Sequence, residues 1–121
     1  MIIAFYIVAG LAALVFLAAG LNKLFRDKPA LQEAGMGYVE DFSPSAVKLI
    51  GLAEVLGAIG LIVPVVVGMA PILAPIAGIC LAVLMIGAVA VHLRRKEAFA
   101  PALVLAVLAV AASVLGFIVV L

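Results

Sequence analysis

Residues 55–93 read VLGAIGLIVPVVVGMAPILAPIAGICLAVLMIGAVAVHL, 39 positions without a permanent charge. As one straight helix this run would extend about 58 Å, roughly twice the ~30 Å hydrocarbon core of a bilayer. It must therefore fold back on itself. Pro64, Gly68, Pro71 and Pro75 cluster at its middle, and Val67-Gly68-Met69-Ala70-Pro71 reads as a very short turn. Outward from that turn, the first arm is expected over about 45–67, opened by Ser43 as N-cap with Pro44 at the first helical position. The second arm is expected over about 71–92. Met1 to Leu21 is an uncharged run of 21 residues and Ala98 to Leu121 one of 24, each long enough for one crossing, with Pro101 tolerable in a first turn. These predict further helices over about 2–22 and 98–121. The fold class is all-α: an integral membrane, antiparallel four-helix transmembrane bundle forming one domain over 1–121.

Composition agrees. The chain has 121 residues, 70% hydrophobic and 11% charged, with mean hydropathy +1.55, far from the balance of soluble domains. Its first partner is the lipid bilayer. A net charge of +1 and no basic run longer than Arg94-Arg95-Lys96 exclude nucleic acid, which requires an extended cationic footprint. Cys80 is the only cysteine, so no intrachain disulfide, CxxC pair or zinc cluster can form. Redox chemistry would have to be borrowed, and Cys80 itself reads as a small buried hydrophobe.

The cations give an orientation. Lys23, Arg26 and Lys28 follow the first helix, Lys48 opens the second, and Arg94, Arg95 and Lys96 separate the last two, whereas the turn at Gly68 has none. By the positive-inside rule both basic loops face the cytoplasm and both termini lie outside. Ala18-Ala19-Gly20 resembles a signal-peptidase site, but the apolar run is too long and lacks a basic n-region, so 1–21 is read as a retained span. The connection over about 23–43 is read as a cytoplasmic interfacial loop. Leu31, Gly35, Tyr38 and Phe42 recur at near-helical spacing among acidic positions. It serves either as a surface-lying connector anchored by Tyr38 and Phe42 or as a lid over the bundle's cytoplasmic mouth.

Glu54 is the only charge between Leu49 and Leu93. A carboxylate in hydrocarbon costs about 2.5–3.5 kcal/mol on insertion scales, so it normally faces a bundle interior or wet cavity and marks a site. Its same-face neighbours Ile50, Gly51, Gly57 and Ala58 offer a surface on which another helix can approach closely. Asn22 and Lys23 end the first helix and His92 the third, on the same side of the membrane. A ligand-binding layer of Asn22, Lys23, Glu54 and His92 is therefore expected, with Glu54 and His92 as the candidate catalytic, proton-handling groups. Such groups can donate to the carbonyl oxygen of a quinone-like ligand and move protons as it is reduced. The plainer alternative is that Lys23 and Glu54 join two helices and His92 is an interfacial side chain. One His, one Glu and one Cys do not make a metal shell, and no metal is expected.

The blocks Ala19-Gly20-Leu21-Asn22-Lys23-Leu24, Met36-Gly37, residues 50–64 (IGLAEVLGAIGLIVP), Ala74-Pro75, Met85-Ile86-Gly87-Ala88 and His92-Leu93-Arg94-Arg95 resemble the DoxX-like family of small four-helix membrane proteins. The resemblance spans nearly the whole chain and implies the same four-span topology, singling out Lys23, Glu54 and His92. It includes a thiosulfate:quinone oxidoreductase subunit, a membrane partner of a sulfurtransferase and superoxide dismutase, and receptor-assembly chaperones. It thus implies a subunit of a membrane redox system, located in a bacterial plasma membrane, with a quinone or other lipophilic small molecule as ligand. A membrane or cytoplasmic redox partner and a homodimer through Gly and Ala faces are the expected protein contacts. A noncatalytic scaffold or assembly chaperone is the alternative. A small-molecule transporter is a second, set lower because small multidrug exporters carry their glutamate in the first helix, where this chain has no charge before Lys23.

Overall fold

The structure, a computed structural model, describes residues 1–25, 43–96 and 99–121. Those residues form four helices, α1 (Ile2–Phe25), α2 (Pro44–Val67), α3 (Leu73–Arg94) and α4 (Ala100–Val120), each long and apolar enough to cross a membrane. The interfacial segment expected between α1 and α2, with its alternatives of anchor and lid, lies outside the described residues except at its edges.

The helix ends follow from local chemistry. At α2, the Ser43 hydroxyl accepts from the Ala46 N–H at 3.1 Å, and Pro44 occupies the first turn, so an orphan donor is satisfied where proline has none to offer. At its other end Gly68 takes the left-handed conformation, φ 71°, and its N–H returns to the Pro64 carbonyl, a termination that glycine adopts without a Cβ penalty. The reversal then uses Gly68 to Ile72, and α3 begins at Leu73 rather than at the expected Pro71. α1 runs three residues past its expected end, to Phe25. Lys48 of α2 donates to the Leu24 carbonyl at 2.8 Å, placing a cation against the negative end of the α1 dipole. Lys23 is consequently a helical residue and not the start of a loop.

The helices pack as a ring: α1 and α4 each border two neighbours, as do α2 and α3, with α1·α2 and α3·α4 the most extensive contacts. α1 buries Phe5, Ala9, Ala12, Phe16, Gly20 and Lys23, a stripe at steps of three and four residues. α4 buries Ala102, Ala106, Ala109, Ala112, Ser113 and Gly116, and these small side chains bring it close to α3. A Cβ on Gly78 of α3 would lie 2.9 Å from that of Ser113, and the Ser113 hydroxyl donates to the Pro75 carbonyl at 2.9 Å. Cys80 departs from expectation: it is exposed on the outside of α3. The buried stripe of that helix runs through Gly78, Leu81, Ala82 and Met85 and turns position 80 toward lipid.

Candidate functional site

The site begins with two glycines. A Cβ on Gly20 of α1 would sit 2.6 Å from the Gly51 carbonyl oxygen, and one on Gly51 of α2 would sit 2.8 Å from the Gly20 oxygen and 2.7 Å from Lys23 Cβ. The two backbones therefore touch, as only residues without side chains allow. Lys23 and Glu54 each lie three residues beyond their glycine, on opposite sides of the crossing because the helices are antiparallel. Helical side chains lean toward their own N-terminus, so both lean back toward the crossing. They meet there, with Lys23 Nζ donating to Glu54 Oε1 at 2.5 Å. Lys23 is 6% and Glu54 1% exposed, so this is a charge pair enclosed by the bundle, in surroundings that make an ion pair strong and a lone charge costly.

Beside the pair is a cavity of about 550 Å³, lined by residues of all four helices. Lys23 and Glu54 form its charged side and His92, half-buried near the end of α3, contributes an imidazole; Met85, Ala88 and Leu105 are among its apolar lining. The volume lies within the range of small-molecule sites, as does the plan of an apolar chamber with a few convergent polar groups. Among the described residues no three His, Cys, Asp or Glu side chains cluster, so the polar chemistry on offer is that of an amine, a carboxylate and an imidazole.

Three of the four residues expected in the polar layer thus border one space: Lys23, Glu54 and His92. Asn22 is half-buried on α1 and is not among the lining residues, since the next residue along a helix turns about 100° from its neighbour. Polarity does not mark the apolar wall: in the sequence Met85, Gly87 and Ala88 stand out only as a motif of the family resemblance, and Leu105 carries no signal.

The family model of the DoxX-like family matches residues 7–114. The chain belongs to the DoxX-like family. The match includes Gly20, Lys23, Gly51, Glu54 and His92, so the whole crossing and its cavity lie within the shared DoxX-like region. No curated protein and no solved structure matches the chain. It is a DoxX-like integral membrane protein with four apolar spans.

Proposed function

We propose that this DoxX-like protein is a subunit of a membrane redox system and binds a quinone or other lipophilic small molecule in the pocket around Glu54. The observation that carries the reading is the cavity of about 550 Å³ bordered by a buried Lys23–Glu54 pair. Intramembrane ionisable groups are expensive and default to functional roles, and here the expense is met beside an apolar chamber of ligand size. A carbonyl oxygen lodged near the pair can accept from the Lys23 ammonium. Glu54 and His92 are the groups suited to pass protons to it as it is reduced. The electrons come from a membrane or cytoplasmic redox partner, because Cys80 is the chain's only thiol and is not among the residues that line the cavity.

The test is what the purified protein carries. Extracts of protein reconstituted in native lipid, analysed by mass spectrometry and by an oxidised-minus-reduced spectrum, should contain a stoichiometric quinone or related lipid in wild type. It should be lost in the double variant Lys23→Met/Glu54→Gln, which removes both charges of the pair together. A second reading is a noncatalytic scaffold, favoured by one observation: Lys23 and Glu54 satisfy each other and can simply clasp α1 to α2. That reading predicts an empty cavity and a copurifying partner protein.

The end of the bundle that holds the pair is read as cytoplasmic, in a bacterial plasma membrane. Lys48, Arg94, Arg95 and Lys96 lie at that end and the Gly68 turn has no cation, the asymmetry that sets orientation. A reporter fused after Leu121 should therefore score as outside, and an inside signal reverses the assignment.

A further inference from the structure

The ligand's shape and its route can be taken further, resting on the proposal that the cavity holds a lipophilic molecule. Most helix glycines here are explained by packing: a Cβ on Gly20, Gly51, Gly57, Gly60, Gly78 or Gly116 would come within 2.6–3.2 Å of a neighbouring helix. Gly87 is different. Among the described residues nothing lies within 4 Å of the Cβ it lacks, its φ is not positive, and it is exposed. A glycine inside a helix weakens it relative to alanine, and neither close approach nor backbone conformation accounts for this one.

What Gly87 does is line the cavity, together with Val83 one turn earlier. Val83 is 64% exposed. Two residues that border the chamber and also face outward mark where it reaches the lipid-facing surface. Gly87 precedes Arg94 by seven residues, so this opening lies roughly 10 Å inside the charged end of α3, at hydrocarbon depth. Gly10 is similarly open, but it lies in a groove of α1 and α2 whose lining, among the described residues, is apolar throughout and offers no polar group to hold a head.

We propose that Gly87 is the sill of a lateral portal, through which an amphiphile with one hydrogen-bond-accepting head and a single hydrocarbon tail enters from the bilayer. The head reaches Lys23, Glu54 and His92 while the tail crosses position 87 and stays in lipid. A tail gains little by moving from lipid to a protein groove of equal polarity, so affinity resides in the head and the tail needs only an unobstructed path. Filling position 87 therefore penalises tailed ligands and spares tailless ones.

The experiment compares wild type, Gly87→Phe, Gly87→Leu and Gly10→Phe in nanodiscs, measuring binding of decylubiquinone and of tailless duroquinone by equilibrium dialysis. Circular dichroism and gel filtration verify folding, and Gly87→Leu serves if the phenylalanine variant fails to fold. The expected result is that filling position 87 weakens decylubiquinone about tenfold or more, the scale of steric overpacking. Duroquinone binding should change by less than about twofold, within ordinary scatter for a site away from the head, and Gly10→Phe should leave both probes as in wild type. Equal weakening of both probes by the position-87 variants would overturn the portal and make Gly87 part of the head site. Unchanged binding of both would overturn it too. Wild type binding neither probe would instead defeat the quinone reading on which the portal rests.

Discussion

The two halves of this bundle are built from the same residues and put to opposite use. Toward the Gly68 turn, Phe5, Ala9, Leu61, Ala74, Ala109 and Ala112 are fully buried, and the Ser113 hydroxyl reaches the Pro75 carbonyl. Toward the basic end, small residues again bring helices into contact, at Gly20 and Gly51, but the adjoining space is an open chamber beside a buried charge pair. Interiors normally close-pack, and atoms facing a void forfeit their dispersion partners. The contrast fits the proposal that the chamber holds a ligand.

The sharpest way to break that comparison is to unbalance the pair. Lys23→Met alone strands the Glu54 carboxylate in the interior and should cost about 3–5 kcal/mol, whereas the double variant Lys23→Met/Glu54→Leu should recover most of the loss. Reversible unfolding in mixed micelles measures both. If Lys23→Met proves as stable as wild type, water reaches the carboxylate freely and the pair is not enclosed by the bundle.

Next in size is a leucine truncated in each half. Leu61→Ala, at a position 0% exposed, should cost about 2–5 kcal/mol because it opens a new void. Leu105→Ala enlarges a chamber that already exists and should cost clearly less, since its side chain has fewer partners to lose. Equal costs in the same unfolding assay would mean that the two halves are packed alike. Gly51→Ala follows, at about 1–3 kcal/mol from overpacking, because its Cβ would press on the Gly20 carbonyl and the Lys23 stem. That displacement should also loosen the pair, so ligand affinity should fall with stability.

How far the sequence discloses this arrangement depends on the kind of signal. The four spans were legible because helix length against bilayer thickness is a coarse, unambiguous measure, and Pro64, Gly68 and Pro71 mark the reversal. Glu54 and Lys23 were legible because a charge in hydrocarbon has few places to go. The inward-facing small surface at Gly51 could be read, but its partner Gly20 could not be chosen, since nearly every helix offers a glycine or alanine face. The exposure of Cys80 is hidden from the sequence for a related reason. α3 is apolar all round, so periodicity gives no direction, and in a membrane an apolar side chain is equally at home in the core or in lipid. The chamber was least legible of all: Leu105, Ala88 and Met85 pack into the core like other apolar side chains of these helices, and the space they also border leaves no pattern in composition.

The smallest predicted effect probes the closed half. Ser113 is the one side-chain donor buried on α4, and its hydroxyl bonds the Pro75 carbonyl across the α3·α4 contact. In water such a bond would be judged against solvation of both groups. In a bilayer, serine freed from α3 finds its own helix carbonyls instead, so the measured worth of interhelical hydrogen bonds averages only about 0.6 kcal/mol. Ser113→Ala should therefore lower unfolding stability by about that amount and leave ligand binding untouched. A loss above ~2 kcal/mol, or any fall in binding, would mean that the tight half of the bundle is coupled to the chamber rather than serving as its rigid base.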